Sequence, residues 1–221
     1  MRTLPKSPLL ALGALFVALF TGFSQAGVIT SVESAGVLSS QQAGATSIDF
    51  ETMDCSAYNS CTGDFEVRTG SIGGITAAPY QATPDGEYFL TVPRNASSGS
   101  VSLQLNGSYN YFGLFWGSID RYNTLSFMSG AATVASFGGS YFNPPLQADG
   151  GQGNWDSNRF INFLFTGGDS FDTVVLTSTS YAFETDNHAY ANVPEPGVLS
   201  MLGLGLLCLG LTRFRRRTLK F

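Results

Sequence analysis

His188 is the only histidine in the 221-residue chain, so any Ser-His-Asp or Cys-His nucleophilic arrangement would have to use it. No Gly-x-Ser-x-Gly elbow or other nucleophile context accompanies it. Zinc hydrolysis would need a set of several imidazoles or thiolates, which one histidine and three cysteines do not offer at any ligand spacing. The sixteen acidic residues offer many pairs for glycoside hydrolysis. Linear spacing, however, says nothing about the roughly 5–10 Å separation that such chemistry requires. Gly70-Ser-Ile-Gly-Gly74 lacks both the following Lys-Ser/Thr and the helix of a phosphate loop. The residues give no positive signal for catalysis, and the expectation is a protein that is not an enzyme.

Binding chemistry has better candidates. Gly138–Asn158 shows no strand pattern and carries Tyr141, Phe142, Asn154, Trp155 and Asp156. Loops this long in compact domains are commonly functional or disordered. Aromatic faces beside Asn and Asp suit sugar stacking and hydroxyl contacts, which would make the domain a module for exopolysaccharide. Folding Trp155 and Phe142 back over a core explains the same residues without a ligand. Both readings stand at this level.

The elements that would position these residues are short and β-like. Ser47–Glu51 alternates, with Ile48 and Phe50 on one face and Asp49 and Glu51 on the other. Ser100–Leu105 alternates as cleanly. Further runs are Phe65–Arg68, Tyr88–Val92, Tyr111–Trp116, Thr124–Met128, Thr133–Phe137, Phe160–Phe165, Asp172–Thr177 and Phe183–Tyr190. Tyr111–Trp116 and Phe160–Phe165 are almost continuously apolar, as central strands are. Short strands separated by Gly, Asn, Ser and Pro predict an all-β fold, an antiparallel β-sandwich of jelly-roll type. Such an arrangement looks like jelly-roll carbohydrate-binding modules, whose first and last strands often lie together and share a structural calcium. By that resemblance Asp49, Glu51, Glu184 and Asp186 are candidate calcium ligands. Facing carboxylates repel across a ladder unless a cation intervenes. Four solvated carboxylates on outer faces are the other reading.

Both termini read as processing segments. Arg2 and Lys6, the apolar run Leu9–Phe20 and Ser24-Gln25-Ala26 form a signal peptide over residues 1–26, with the mature chain starting at Gly27. Between Gly27 and Pro196 there are four arginines, no lysine and all sixteen acids, a formal charge of −12 against −5 for the whole chain. Such a domain repels nucleic acid and anionic membrane surfaces. Residues 27–192 suit one domain. Cys55 and Cys61 are its only cysteines, and an oxidising destination predicts a local disulfide between them.

The carboxyl end reads Val193-Pro194-Glu195-Pro196, an apolar stretch over 197–212, then a basic tail over 213–221 with Arg213, Arg215, Arg216 and Arg217. Eighteen helical residues from Gly197 to Phe214 reach about 27 Å, enough to span a bilayer with the arginines snorkelling at its cytoplasmic surface. This tripartite tail resembles the PEP-CTERM sorting signal of Gram-negative bacteria. The resemblance implies an inner-membrane-anchored precursor whose Pro194-Glu195-Pro196 is read by an exosortase. It also implies delivery to the cell surface or extracellular matrix. Trp116-Gly-Ser-Ile-Asp-Arg-Tyr-Asn-Thr-Leu125 and Phe183-Glu-Thr-Asp-Asn187 further resemble one family of small exosortase-dependent surface proteins. That family implies location rather than chemistry. Trp116, Asp120, Tyr122 and Asn123 are either a ligand platform or a packed Trp followed by a turn that Asp120 and Asn123 cap.

Overall fold

The computed structural model describes residues 27–82, 86–94, 96–194, 202–207 and 209. The expected signal peptide (1–26), Glu195, Pro196, most of the 197–212 segment and Arg213, Arg215, Arg216 and Arg217 lie outside them. Residues 202–207 are helical. Among the described residues, no helix is long and apolar enough to cross a membrane.

Twelve strands are described: β1 (Gly27–Val32), β2 (Thr46–Ile48), β3 (Ser60–Gly63), β4 (Glu66–Arg68), β5 (Phe89–Val92), β6 (Gly99–Tyr109), β7 (Tyr111–Gly117), β8 (Asn123–Ser129), β9 (Ala132–Gly138), β10 (Arg159–Thr166), β11 (Phe171–Ser178) and β12 (Phe183–Ala191). They form two sheets in which every pairing is antiparallel. One runs β1-β10-β7-β12-β5-β4, with β2 also on β12; the other runs β3-β6-β11-β8-β9. The expected all-β sandwich is what forms. As expected, the apolar run Tyr111–Trp116 becomes a central strand.

Alternation explains the core. Phe112, Leu114 and Trp116 of β7 and Ile161, Phe163 and Phe165 of β10 point inward. They share one buried cluster with Leu103 of β6, Phe127 of β8 and Leu176 of β11. The Phe127 ring lies 5.7 Å from Phe112, 5.1 Å from Phe163 and 5.0 Å from Phe165, which locks the sheets together. Burying each such ring contributes about 1.5–3 kcal/mol. The apolar residues on the other face of β7 and β10, Tyr111, Phe115 and Phe160, form a second cluster. Leu38, Ala45 and Trp155 pack over that cluster from loops. That cover is why β7 is apolar on both faces.

Three sequence expectations need correction. Of the Ser47–Glu51 run only Ser47 and Ile48 are strand, within β2; Phe50, at φ 60°, starts a turn. Ile48 and Phe50 are still buried while Asp49 and Glu51 are exposed. β1 and β3 lie outside the predicted strand runs, because Ser60-Cys-Thr-Gly63 has turn composition and Gly27–Val32 adjoins the expected cleavage site. Finally, β12 does not alternate through its length. Its register against β7 slips between Asp186 and Ala189, and Asn187 sits at φ 49°. This bulge reverses the facing of the residues after it.

Candidate functional site

The two motifs that resemble exosortase-dependent surface proteins meet at one end of the sandwich. Trp116, at the end of β7, stacks on Phe183, at the start of β12, with ring centroids 4.4 Å apart. The Asn123 amide donates to the Ala182 carbonyl at 2.9 Å and accepts from the Ser178 hydroxyl at 2.6 Å. Tyr122 donates its hydroxyl to the Tyr181 carbonyl at 2.6 Å. The side chain of Asn123 thus ties the β7–β8 turn to the β11–β12 corner rather than capping its own turn. Trp116 is fully buried and cannot stack on a ligand.

Between these elements lies a cavity of about 160 Å³, lined by residues 71–77, Ser118, Asp120, Tyr122, Gln152 and Glu184 among others. Glu184 is 2% exposed. One carboxyl oxygen accepts the Ala77 N–H at 2.8 Å and the other the Ser118 hydroxyl at 3.0 Å. Burial disfavours its charged form and pushes the carboxyl up to about 7, against the pull of these hydrogen bonds. Asp120 is half-buried and also raised, mainly by burial, with the Asp149 carboxylate adding to the effect. Gly150, at φ 71°, lets the loop pass so close that a Cβ there would strike the Asp120 carboxylate. Asn158 braces the cavity from behind. Its carbonyl oxygen accepts the Ser118 N–H at 2.8 Å, and its amide donates to Gly151 and Asn154. Chemically this is a polar pocket with two raised carboxyl groups, one committed to joining loop 71–77 to the β7–β8 turn. Nothing in the sequence singled out Asn158 or Ser118 for that role.

Asp186 is the second buried carboxyl, at 2% exposed, and it accepts the Asn187 N–H at 2.7 Å. Burial first, then the nearby acids Glu87, Glu51 and Asp49, push it up to about 8. Three of the four candidate calcium ligands, Asp49, Glu51 and Asp186, therefore share a neighbourhood, while Glu184 is bonded elsewhere. Glu51 is itself engaged, accepting the Tyr88 N–H at 2.8 Å. Among the described residues no group of three His, Cys, Asp or Glu is arranged to hold a metal ion. The reading of all four as solvated carboxylates on outer faces fails for Glu184 and Asp186.

The aromatic loop does not assemble a shared platform. Phe142 is 3% exposed and belongs to the core, ending the 3₁₀ turn Gly139–Phe142. Tyr141 is exposed, with its ring 5.0 Å from Phe137. Trp155 is half-buried elsewhere, edge-on to Tyr80 at 5.3 Å and to Phe115 at 6.4 Å. Asn154 folds the local turn by accepting the N–H groups of Asp156 and Ser157, and Asp156 is exposed.

His188 is fully buried. Its Nδ1 lies 2.6 Å from the Tyr58 hydroxyl and its Nε2 2.9 Å from Thr185 Oγ1. Phe50 and Phe112 meet its ring edge-on at 5.0 and 5.4 Å. Burial holds the imidazole down at about 3, so it is neutral at physiological pH. Tyr58 reaches it from the small loop closed by the Cys55–Cys61 disulfide, which forms as expected.

The domain is thus an acidic antiparallel β-sandwich whose buried polar groups are largely engaged in holding strands and loops together. Residues 192–217 match the PEP-CTERM protein-sorting motif, which marks an exported, exosortase-processed cell-surface protein of Gram-negative bacteria. No curated protein matches the chain. Among solved structures the chain is similar to CpGH89CBM32-6 produced by Clostridium perfringens (9% identity, TM-score 0.33, 59% of this chain and 94% of that one). It is also similar to the carbohydrate-binding module CBM6cm-2 from Cellvibrio mixtus lichenase 5A (11%, TM-score 0.35, 67% and 98%). A third is the Stig cyclase Fisc from Fischerella sp. TAU (8%, TM-score 0.36, 69% and 87%).

Proposed function

We propose that the chain is a non-catalytic surface protein, anchored transiently in the inner membrane. An exosortase then processes it, and the sandwich is displayed at the cell surface or in the extracellular matrix. The observation that carries this reading is the sorting motif at 192–217, which begins one residue after β12 ends. The site chemistry agrees with it. The single imidazole is sealed in the core with both nitrogens bonded, and both oxygens of Glu184 hold structure together. A second reading, binding of exopolysaccharide, is favoured by the cavity beside Glu184 rather than by the Trp155 loop. There Asp120, Tyr122 and Gln152 offer carboxyl, phenol and amide groups of the kind that bind sugar hydroxyls.

Glu195→Ala tests the sorting reading. The substitution removes the one charge of the Pro-Glu-Pro sequence and leaves the sandwich untouched. Cell fractionation with immunoblotting is expected to find unprocessed precursor in the inner membrane. Normal surface delivery of a shortened Glu195→Ala protein would reject the assignment.

A further inference from the structure

The sandwich holds the sorting motif near its start, at Val193. Asn110 is the single residue between β6 and β7, at the corner where the chain passes from one sheet to the other. Its side-chain amide grips the backbone of Val193 at both ends. Oδ1 accepts the Val193 N–H at 2.7 Å, and Nδ2 donates to the Val193 carbonyl at 2.7 Å. A carboxamide presents C=O and N–H as a peptide group does, so Asn110 acts as one more rung of a ladder beyond the end of β12 at Ala191. The main chain of Asn110 is equally committed: its N–H donates to the Ala191 carbonyl and its carbonyl accepts the Phe165 N–H. Asn192 adds a bond from its amide to the Ser108 carbonyl at 3.2 Å, and the Val193 side chain packs against the second apolar cluster. Pro194 has no N–H, which stops the ladder there, and it is exposed. No free spacer therefore separates the folded domain from Pro194-Glu195-Pro196.

We propose that Asn110 is a positioning residue for exosortase processing, which withholds the Val193 backbone from the enzyme until the anchor opens. This rests on the sorting reading given above. Enzymes that read a peptide commonly hold it extended, through backbone hydrogen bonds on both sides of the recognised residues. Asn110 and the enzyme then compete for the same N–H and C=O of Val193. Two hydrogen bonds of ordinary net strength keep the open form at roughly a few per cent, and the apparent affinity falls to that fraction of its intrinsic value.

The test follows precursor-to-mature conversion of the full chain by pulse-chase, in cells that contain the exosortase. Asn110→Ala removes both side-chain bonds and keeps both main-chain ones, and conversion is expected to quicken by about thirtyfold. A Gly-Ser-Gly-Ser insertion between Val193 and Pro194 leaves the anchor intact but supplies free backbone beside the motif. It should quicken conversion as much, and the two changes together should add nothing. The insertion alters no contact within the sandwich, so it decides the matter even where Asn110→Ala is degraded before processing. Wild-type-like or slower conversion of the insertion variant would overturn the anchor and leave the sorting reading standing. A wild-type chain that is never converted would overturn both.

Discussion

His188→Ala is expected to lower the unfolding free energy by about 3–5 kcal/mol, the scale of truncating a large buried ring. Two effects add. The fully buried imidazole fills space between Phe50, Phe112 and Tyr58, and its loss leaves a cavity there. The Tyr58 and Thr185 hydroxyls also lose their partner inside the core, where an orphaned polar group costs about 1–3 kcal/mol. Domains have only about 5–15 kcal/mol in total, so the variant should melt far below the wild type or fail to accumulate. Tyr58→Phe should cost less, because the ring stays and one hydrogen bond is lost. Urea denaturation of both variants measures the effect. A His188→Ala protein as stable as wild type would remove the imidazole from the structural account and reopen a chemical role for it.

The second large effect is on pH. Glu184 and Asp186 are raised to about 7 and about 8, so the folded protein keeps protons that the unfolded chain releases near pH 4. Their contribution is fully present below the unfolded values and is lost as pH rises through the folded ones. His188 acts oppositely. Lowered to about 3 in the fold, it favours the native state above its unfolded value of about 6.5 and loses that contribution as pH falls toward 3. Between roughly pH 5 and 6.5 the two carboxyls outweigh the one imidazole by a single proton. Stability should fall there by about 1.4 kcal/mol per pH unit, and at much the same rate up to pH 7, because Glu184 begins to release its proton as the unfolded-state histidine finishes losing its own. Below pH 4 the slope reverses, because both states then hold the two carboxyl protons and only the unfolded chain binds the His188 proton, with the lowered carboxylates Asp54 and Asp149 acting in the same direction. The protein should therefore be most stable in mild acid, and Glu184→Gln with Asp186→Asn should turn the decline into a rise up to about pH 6.5, where His188 alone sets the slope. Stability rising from pH 5 to 8 in wild type would contradict the burial of these carboxyls.

How far the sequence could be read depended on whether a strand obeyed one period. β6, β7, β8 and β10 were legible because alternating or continuous apolar residues define their faces, whatever covers them. β12 was not. Simple alternation sets Glu184, Asp186 and His188 on one outer face. The bulge at Asn187 instead turns His188 into the core, while the covering loops bury both acids where they stand. A left-handed Asn inside a strand leaves no periodic trace. The loop residues failed for a related reason. Asn110 and Asn158 read as ordinary turn formers, yet both spend their amides on backbone distant in sequence. The Trp116 and Phe183 motifs were visible as separate strings, and only the fold shows that they pack on each other. The sorting tail was legible because its parts are consecutive and its reading needs no tertiary contact.

The central claim is that this sandwich is exported and cut by an exosortase. Intact-mass and terminal-peptide mass spectrometry of the native surface protein tests it directly. The expected mature chain starts at Gly27 and lacks the basic tail over 213–221, with the Cys55–Cys61 bridge intact. A surface protein that still carries Arg213–Arg217 and ends at Phe221 would contradict the account.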